Sequence, residues 1–549
     1  MRTRRFSTKW IGLLLLSLVL IITAGCQALG GVDFNAMLKQ TFKVTSLESK
    51  ETIELKLLLK DAALEKLPKE EQELIKLISH ITLQLDNVKT SQSGDMSAAG
   101  KLVLGDKEIG FNLAIDQKLV AINLEGAKNP IVIHIPEGED IAASKAEAGA
   151  AGAAAPESLT ESGKKVIDAL TGFTINNLPN PTHLSVDAGQ DNINGESVTG
   201  MKIHAELTGK ELWNWIKSYI DALLKDKEGL KAMLTGVYEA LASQADALQS
   251  TGAESIFGSL PEEDDSAGQI KEAVDEITQM LTETSDELKK AEQDNKELID
   301  GIFNNGTYVK GDVFIDSKLD IRKSVIEAAI KPDLAKINAV TAAADGEDDE
   351  DVLAVQDELD EMPFEGVWVK ISSERWNVNG DVVPVKPGVS PDSFDMEQLN
   401  RMQGYEVLRQ FQPNSVIYGL LHNQMHISKQ TVNLDMKYSQ LAPIVTPAGV
   451  TLIPLRVVAG ALGASVTKDA NGKLIVYDPA TKTKLALKVG SSNAVVNGNA
   501  VKWSFPPTIV NGTTYVPARP FVAALHGSLK WENSYYGDWR MLVISREPV

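Results

Sequence analysis

Residues 101–135 read KLVLGDKEIGFNLAIDQKLVAINLEGAKNPIVIHI. Four short apolar runs, Lys101–Leu104, Gly110–Ile115, Leu119–Leu124 and Ile131–Ile135, follow at close intervals with turn residues between them. Parallel strands need crossovers of a dozen or more residues, so connections this short predict an antiparallel meander. Upstream, Thr52-Ile53-Glu54-Leu55-Lys56-Leu57 alternates as a strand with one wet face, and His80–Val88 alternates again through Ile81, Leu83 and Leu85. Between them Asp61–Ser79 is helical in character apart from Pro68, and Phe34–Lys43 ahead of them reads as a brief amphipathic helix.

Downstream the rhythm changes. The Ala- and Gly-rich residues 142–157 have nothing to pack and read as a linker or mobile loop. Thr160–Leu170 is helical, and His183–Val186 and Val198–Leu207 are strands. Lys210–Leu248 is predicted as helix, with Leu212, Trp213, Ile216, Ile220, Leu223 and Leu224 forming a stripe that belongs to a core. A solvated break at Thr251–Ala267 precedes a long amphipathic helix from Ile270 to Ile302, which Asn304-Asn305-Gly306 stops. Tyr308–Ile330 has the length of a hairpin, Ala342–Glu361 is densely acidic, and Gly366–Ile371 is a further strand. Strands flank long helices without a regular βαβ alternation. The fold class is therefore α+β, an antiparallel-sheet ectodomain with long amphipathic helices. It resembles the curved antiparallel sheet with helices on one face found in lipoproteins of the carrier kind. Such a carrier would enclose its ligand in a dry apolar pocket of more than roughly 300 Å³ between sheet and helices.

The N-terminus carries an address. Arg2, Arg4, Arg5 and Lys9 precede an unbroken apolar run, Ile11–Ile22, too short for a ~30 Å hydrocarbon core. Small residues then lead into Cys26, the only cysteine among 549 residues. Thr23-Ala24-Gly25-Cys26 resembles the lipobox of bacterial lipoproteins. The resemblance implies cleavage after Gly25 and diacylglyceryl transfer to the Cys26 thiol, giving a membrane partner through a stable multi-chain anchor on the extracytoplasmic face.

The last hundred-odd residues contain two copies of one unit, Pro443–Tyr477 and Pro506–Ile544, aligned by a shift of 63 positions. Gly449 matches Gly512, Pro454-Leu455-Arg456 matches Pro517-Ala518-Arg519, and Ala461-Leu462 matches Ala524-Leu525. In the second copy Asn511-Gly512 makes a tight turn, Thr514–Val516 is a strand, and Pro517 ends it where a helix begins. Phe521, Val522 and Leu525 give that helix its buried face, and Leu529–Trp531 starts the returning strand. From about Tyr438 to Val549 these residues resemble the copper amine oxidase N-terminal-like domain, a stalk module of many Gram-positive envelope proteins. His526 stands where the first copy has Gly463. The oxidase chemistry of that family needs a quinone-forming tyrosine and three copper histidines. Here there are seven histidines with no His-x-His pair, and Tyr535 and Tyr536 lie in the wrong setting. No cofactor is implied. Domains are thus expected at 1–25 (signal), 26–141, 142–157 (linker), 158–435 and 436–549, with 26–141 and 158–435 either separate or one domain.

Charge divides the chain. The formal charge is −21 from 54 basic and 75 acidic residues; loss of the signal removes four basic residues and leaves −25. Met436–Val549 holds 12 basic against 5 acidic residues, a surplus of 7, so the rest of the mature chain is −32. Nucleic acid is excluded as a partner of the whole chain. The basic end suits an anionic surface such as cell-wall polymer or phospholipid headgroups, or is simply a basic domain. Arg456 and Arg519 offer guanidinium forks for a carboxylate or phosphate, or hold the strand-to-helix corner internally.

Catalytic signals are sparse. His422-Asn423-Gln424-Met425-His426 has the histidine spacing of a zincin helix but Asn423 stands where the glutamate base belongs, and no third ligand is evident. The contiguous acids of Asp345–Asp351 lack the spacing of a Ca²⁺ loop. No metal site and no catalytic residue is assigned, and the sequence reads as a non-enzymatic lipoprotein: a scaffold or binding protein of the envelope, or alternatively a carrier or sensor of a hydrophobic ligand.

Overall fold

A computed structural model describes residues 32–135, 161–242, 266–337, 362–534, 537 and 539–549. The signal segment with Gly25 and Cys26, the 142–157 stretch, the Asp345–Asp351 run, and Tyr535 and Tyr536 lie outside the described residues. The described chain is α+β and divides into two compact units, Met1–Leu124 with Pro130–Asp395, and Met396–Val549 with Glu125–Asn129.

The first unit opens with α1 (Phe34–Thr41), β1 (Leu47–Leu59), α2 (Asp61–Leu64) and α3 (Lys69–Ile78). The meander continues through β2 (His80–Thr90), β3 (Met96–Leu104), β4 (Lys107–Ile115), β5 (Leu119–Leu124) and β6 (Ile131–His134). After α4 (Glu161–Asn176) come β7 (His183–Ile193) and β8 (Glu196–Thr208), then α5 (Gly209–Lys225), α6 (Lys227–Ala242), α7 (Ser266–Asp294) and α8 (Lys296–Ile302). β9 (Tyr308–Asp316), β10 (Ile321–Ile330), β11 (Phe364–Trp376) and β12 (Phe394–Asp395) complete it.

These strands form one twelve-stranded sheet in the order β12-β6-β5-β4-β3-β2-β1-β11-β10-β9-β8-β7. Only the short β12–β6 contact is parallel. Two meanders, β1 to β6 and β7 to β11, are thus joined edge to edge by β1 and β11, whose register runs from Glu48↔Trp376 to Leu59↔Phe364. The strands are longer than the predicted runs, because polar residues such as Ser49 and Ser372 continue the ladder beyond the apolar alternation.

Two predicted helices are each divided. The Lys210–Leu248 stretch breaks at Asp226, whose carboxylate accepts from the Gly229 backbone N–H and so caps α6. The Ile270–Ile302 stretch breaks at Asn295, at φ −130° and ψ 39°. The predicted stop is present: Asn304 Nδ2 donates to Gly301 O at 2.7 Å and its Oδ1 accepts from Gly306 N at 2.6 Å.

The second unit contains α9 (Met396–Arg401), α10 (Gly404–Leu408), α11 (Val416–Gly419), a π-helical turn at Leu420–Gln424, β13 (Gln430–Asp435), β14 (Ile444–Val445), β15 (Thr451–Pro454) and α12 (Leu455–Ala461). It continues through β16 (Ser465–Lys468), β17 (Leu474–Asp478), β18 (Thr483–Leu487), β19 (Asn493–Val496), β20 (Asn499–Lys502) and β21 (Thr508–Val510). β22 (Thr513–Pro517), α13 (Ala518–Ala524), β23 (Ser528–Asn533) and β24 (Arg540–Arg546) close the chain. Three small sheets surround one core that includes Leu455, Val458, Leu485, Phe521, Val522 and Leu542. β15 and β22 pair antiparallel with Ile453 opposite Val516, so residues equivalent under the 63-residue shift face each other. Pro454 and Pro517, both buried, cap α12 and α13 as each strand turns into its helix.

Candidate functional site

The alternation of the sheet sorts its side chains onto two faces. On one face the register aligns Ile326, Ile371, Ile53, Leu83, Leu102 and Ile109 in a row across β10, β11, β1, β2, β3 and β4. The next row is Ala328, Val369, Leu55, Ile81 and Leu104, and Ile330, Val367 and Leu57 make a third. Among the described residues, two helix–sheet clusters lie at one end of this apolar face. α5 and α8 bury Trp213, Ile299 and Phe303 against Leu207, Val309 and Ala328, and α1 buries Phe34, Met37 and Leu38 against Ile203 and Ile315. Among the described residues these helix–sheet clusters rest on β7 to β10. Over β1, β2, β3 and β11 every apolar side chain of the three rows is only half-buried. Contiguous apolar surface that stays part-exposed is a candidate for binding.

A polar group interrupts the face at one end. Beyond the Ile53 row lie Ser324, Ser373 and Glu51. Ser373 is buried, its hydroxyl accepts from Arg375 Nε at 3.1 Å, and the Ser49 hydroxyl donates to Glu51 Oε1 at 3.3 Å.

The opposite face is polar and self-satisfied. Glu327 accepts from Tyr308 Oη at 2.5 Å, Trp368 Nε1 at 3.0 Å and Lys310 Nζ at 3.1 Å. Burial pushes the Tyr308 hydroxyl up, with Glu327 adding to it, to about 12. For Glu327 burial acts upward, but the bonds from Tyr308, Trp368 and Lys310 outweigh it and hold the carboxyl below its ordinary value. Both shifts run away from neutrality, so neither group is poised for proton transfer near pH 7.

A cleft of about 340 Å³ lies between α5 and α7, lined by Lys217, Asp221, Ser285, Lys289 and Glu292 among others. Lys217 is bonded to Glu292 at 2.5 Å and Ser285 to Asp221 at 3.1 Å. This cleft is polar and lies between helices, so it is not the apolar sheet–helix pocket anticipated for a carrier. The apolar rows on the sheet, half-buried over β1, β2, β3 and β11, do not line this cleft.

In the second unit Arg456, exposed at the start of α12, donates from Nη1 to Val466 O at 2.9 Å and so ties its helix to the returning strand β16. Arg519 is exposed at the matching place on α13 and has no hydrogen bond or ion pair among the described residues. The centre of this unit is an arginine that sequence spacing did not single out. Arg546, buried, donates to both Asp478 oxygens at 2.5 and 3.0 Å, to Leu462 O at 2.5 Å, to Leu525 O at 3.3 Å and to Gln430 Oε1 at 2.7 Å. Leu462 and Leu525 are the C-caps of α12 and α13, and their carbonyls are the orphan acceptors of those helix ends. One guanidinium therefore closes both helices, and Asp478 balances its charge. The only signal in the sequence was an arginine within an apolar strand end.

His422 and His426 do not form a metal pair. The helical turn ends at Gln424, His426 takes a left-handed φ of 48°, and its Nδ1 lies 2.9 Å from Glu547 Oε1. Among the described residues no group of His, Cys, Asp or Glu is disposed to hold a metal, and no helix is long and apolar enough to cross a membrane.

Comparison with known proteins places part of the chain. No curated protein matches it. Among solved structures it is similar to the crystal structure of the Mycobacterium tuberculosis lipoprotein LppX, at 10% identity and a TM-score of 0.19 over 64% of this chain and 94% of that one. So loose a superposition carries no functional argument. Residues 431–536 match the family model of the copper amine oxidase N-terminal domain, as the resemblance read from the sequence anticipated.

Proposed function

We propose that this protein is a lipid-anchored, extracytoplasmic binding protein without catalytic chemistry, and that the open apolar face of its twelve-stranded sheet holds an apolar ligand such as an acyl chain. The observation that carries this reading is the three-row apolar surface, half-buried over β1, β2, β3 and β11 outside the helix–sheet clusters on β7 to β10. The lipobox-like Thr23–Cys26 supports the anchor, and pKa shifts that run away from neutrality support binding over acid–base work. A second contact is supported by charge: the basic C-terminal module suits an anionic surface, cell-wall polymer foremost.

Mass spectrometry of the full chain purified gently from its host tests the first contact. The expected result is a solvent-extractable apolar molecule in addition to a diacyl adduct on Cys26. A Cys26→Ala variant, which cannot take the anchor, should keep the extractable molecule and lose the adduct. A variant with no extractable apolar molecule would count against a ligand on the sheet.

A further inference from the structure

In the five-stranded sheet β16-β17-β18-β19-β20 one face is packed and the other faces solvent. Leu474, Val476, Leu485, Leu487 and Ala494 point into the core. The alternate positions point out, and there Tyr477 on β17 is paired with Lys484 on β18. Lys488 directly follows β18, and Lys502 ends β20. All three lysines are exposed, and none has an ion pair among the described residues. Tyr477 is 48% exposed beside Lys484. No outward position of the five strands is acidic: the one acid within them, Asp478, is turned inward onto Arg546.

We propose that this outer sheet face, with Lys484, Lys488 and Lys502 spread across it and Tyr477 beside Lys484, binds a linear phosphodiester polymer. The inference rests on the reading that the basic module meets an anionic surface, and it names the place and the partner. Strands lie ~4.8 Å apart and rise ~3.3 Å per residue, so Lys484 is about 10 Å from the strand of Lys502 and about 13 Å from Lys488 along its own. Cations spread at that spacing over a flat face suit successive charges of an extended chain; a single small anion needs donors that converge. A bilayer is the poorer fit, since membrane-surface binding draws on an inserted apolar helix face and this sheet presents none.

The test is binding of the full mature chain to immobilised poly(glycerol phosphate), with phosphatidylglycerol vesicles as a second probe. The triple variant K484Q/K488Q/K502Q is compared with K429Q/K468Q/K530Q, which removes equal charge elsewhere in the unit. The expected result is at least a roughly tenfold loss of polymer affinity in the first variant, under twofold in the second, with binding that weakens as salt rises. Thermal melting of both should match the parent, since every substituted lysine is exposed. Equal losses in the two variants would overturn the proposed face and leave the broader charge reading standing. No binding of the parent to either probe at low salt would overturn both. Vesicle binding without polymer binding would overturn the assigned partner.

Discussion

Arg546 shows how much one residue can hold. Its side chain is 1% exposed, and its guanidinium satisfies two helix C-termini and a buried carboxylate at once. Breaking a buried pair by removing one partner costs about 3–5 kcal/mol because the other charge is stranded. Arg546→Met should therefore destabilise the second unit by about that amount in denaturant unfolding followed by Trp503 fluorescence. Arg546→Met combined with Asp478→Leu should recover much of the loss, since no lone charge remains; an undiminished loss would mean that the helix-end carbonyls dominate. The pair also carries a pH dependence. Burial pushes the Asp478 carboxyl up, but Arg546 and the Thr481 hydroxyl outweigh it, and its net position is below the ordinary value. A carboxylate lowered on folding stabilises above its unfolded pKa of ~3.9, and that contribution is lost as pH falls through the lower folded value. The stability of the parent should fall across that acid window, and the slope should be shallower in the double variant.

At the scale of the element, helix ends carry a comparable lesson. Gly463 and His526 occupy equivalent places after the C-caps of α12 and α13, with φ of 77° and 59°. Glycine takes that left-handed conformation freely, whereas a side chain costs about 1 kcal/mol there. His526→Gly should raise stability by about that amount in thermal unfolding, and an unchanged or lower value would show that the imidazole makes a compensating contact. The strands were legible because alternation with short connections leaves an antiparallel meander little freedom, as Gly110–Ile115 and Leu119–Leu124 show. The helix breaks at Asp226 and Asn295 were not, because each is a polar residue in a stretch of good helix formers, and only capping geometry distinguishes it. The pairing of β1 with β11 was also hidden: it joins residues more than 300 apart, and local pattern carries no register for a partner that distant. Spacing drew attention to Arg456 and Arg519 on the surface, while Arg546 acts on Leu462, 84 positions away. For the apolar face, alternation told which side chains share a side of the sheet but not which of them the helices would cluster against.

Across the whole molecule, chemistry is segregated. The acidic majority of the chain builds a sheet with one polar, mutually satisfied face and one apolar face that the described helices cover in part. The basic C-terminal module has a full core of its own and a lysine-bearing sheet face. A chain tethered at Cys26 would hold both surfaces at the membrane exterior, where apolar and polyanionic molecules are both at hand. Titration of a fluorescent acyl-chain probe into the full mature chain tests whether the apolar rows bind an acyl chain. The comparison is among the parent, Ile53→Asn with Leu83→Asn in the first apolar row, and Lys56→Gln with Thr82→Gln on the opposite face. Each row substitution removes apolar contact worth on the order of 1 kcal/mol, so saturable binding by the parent should weaken roughly tenfold or more in the row variant and hold in the control. Absence of saturable binding, or equal affinity in the row variant, would contradict the account.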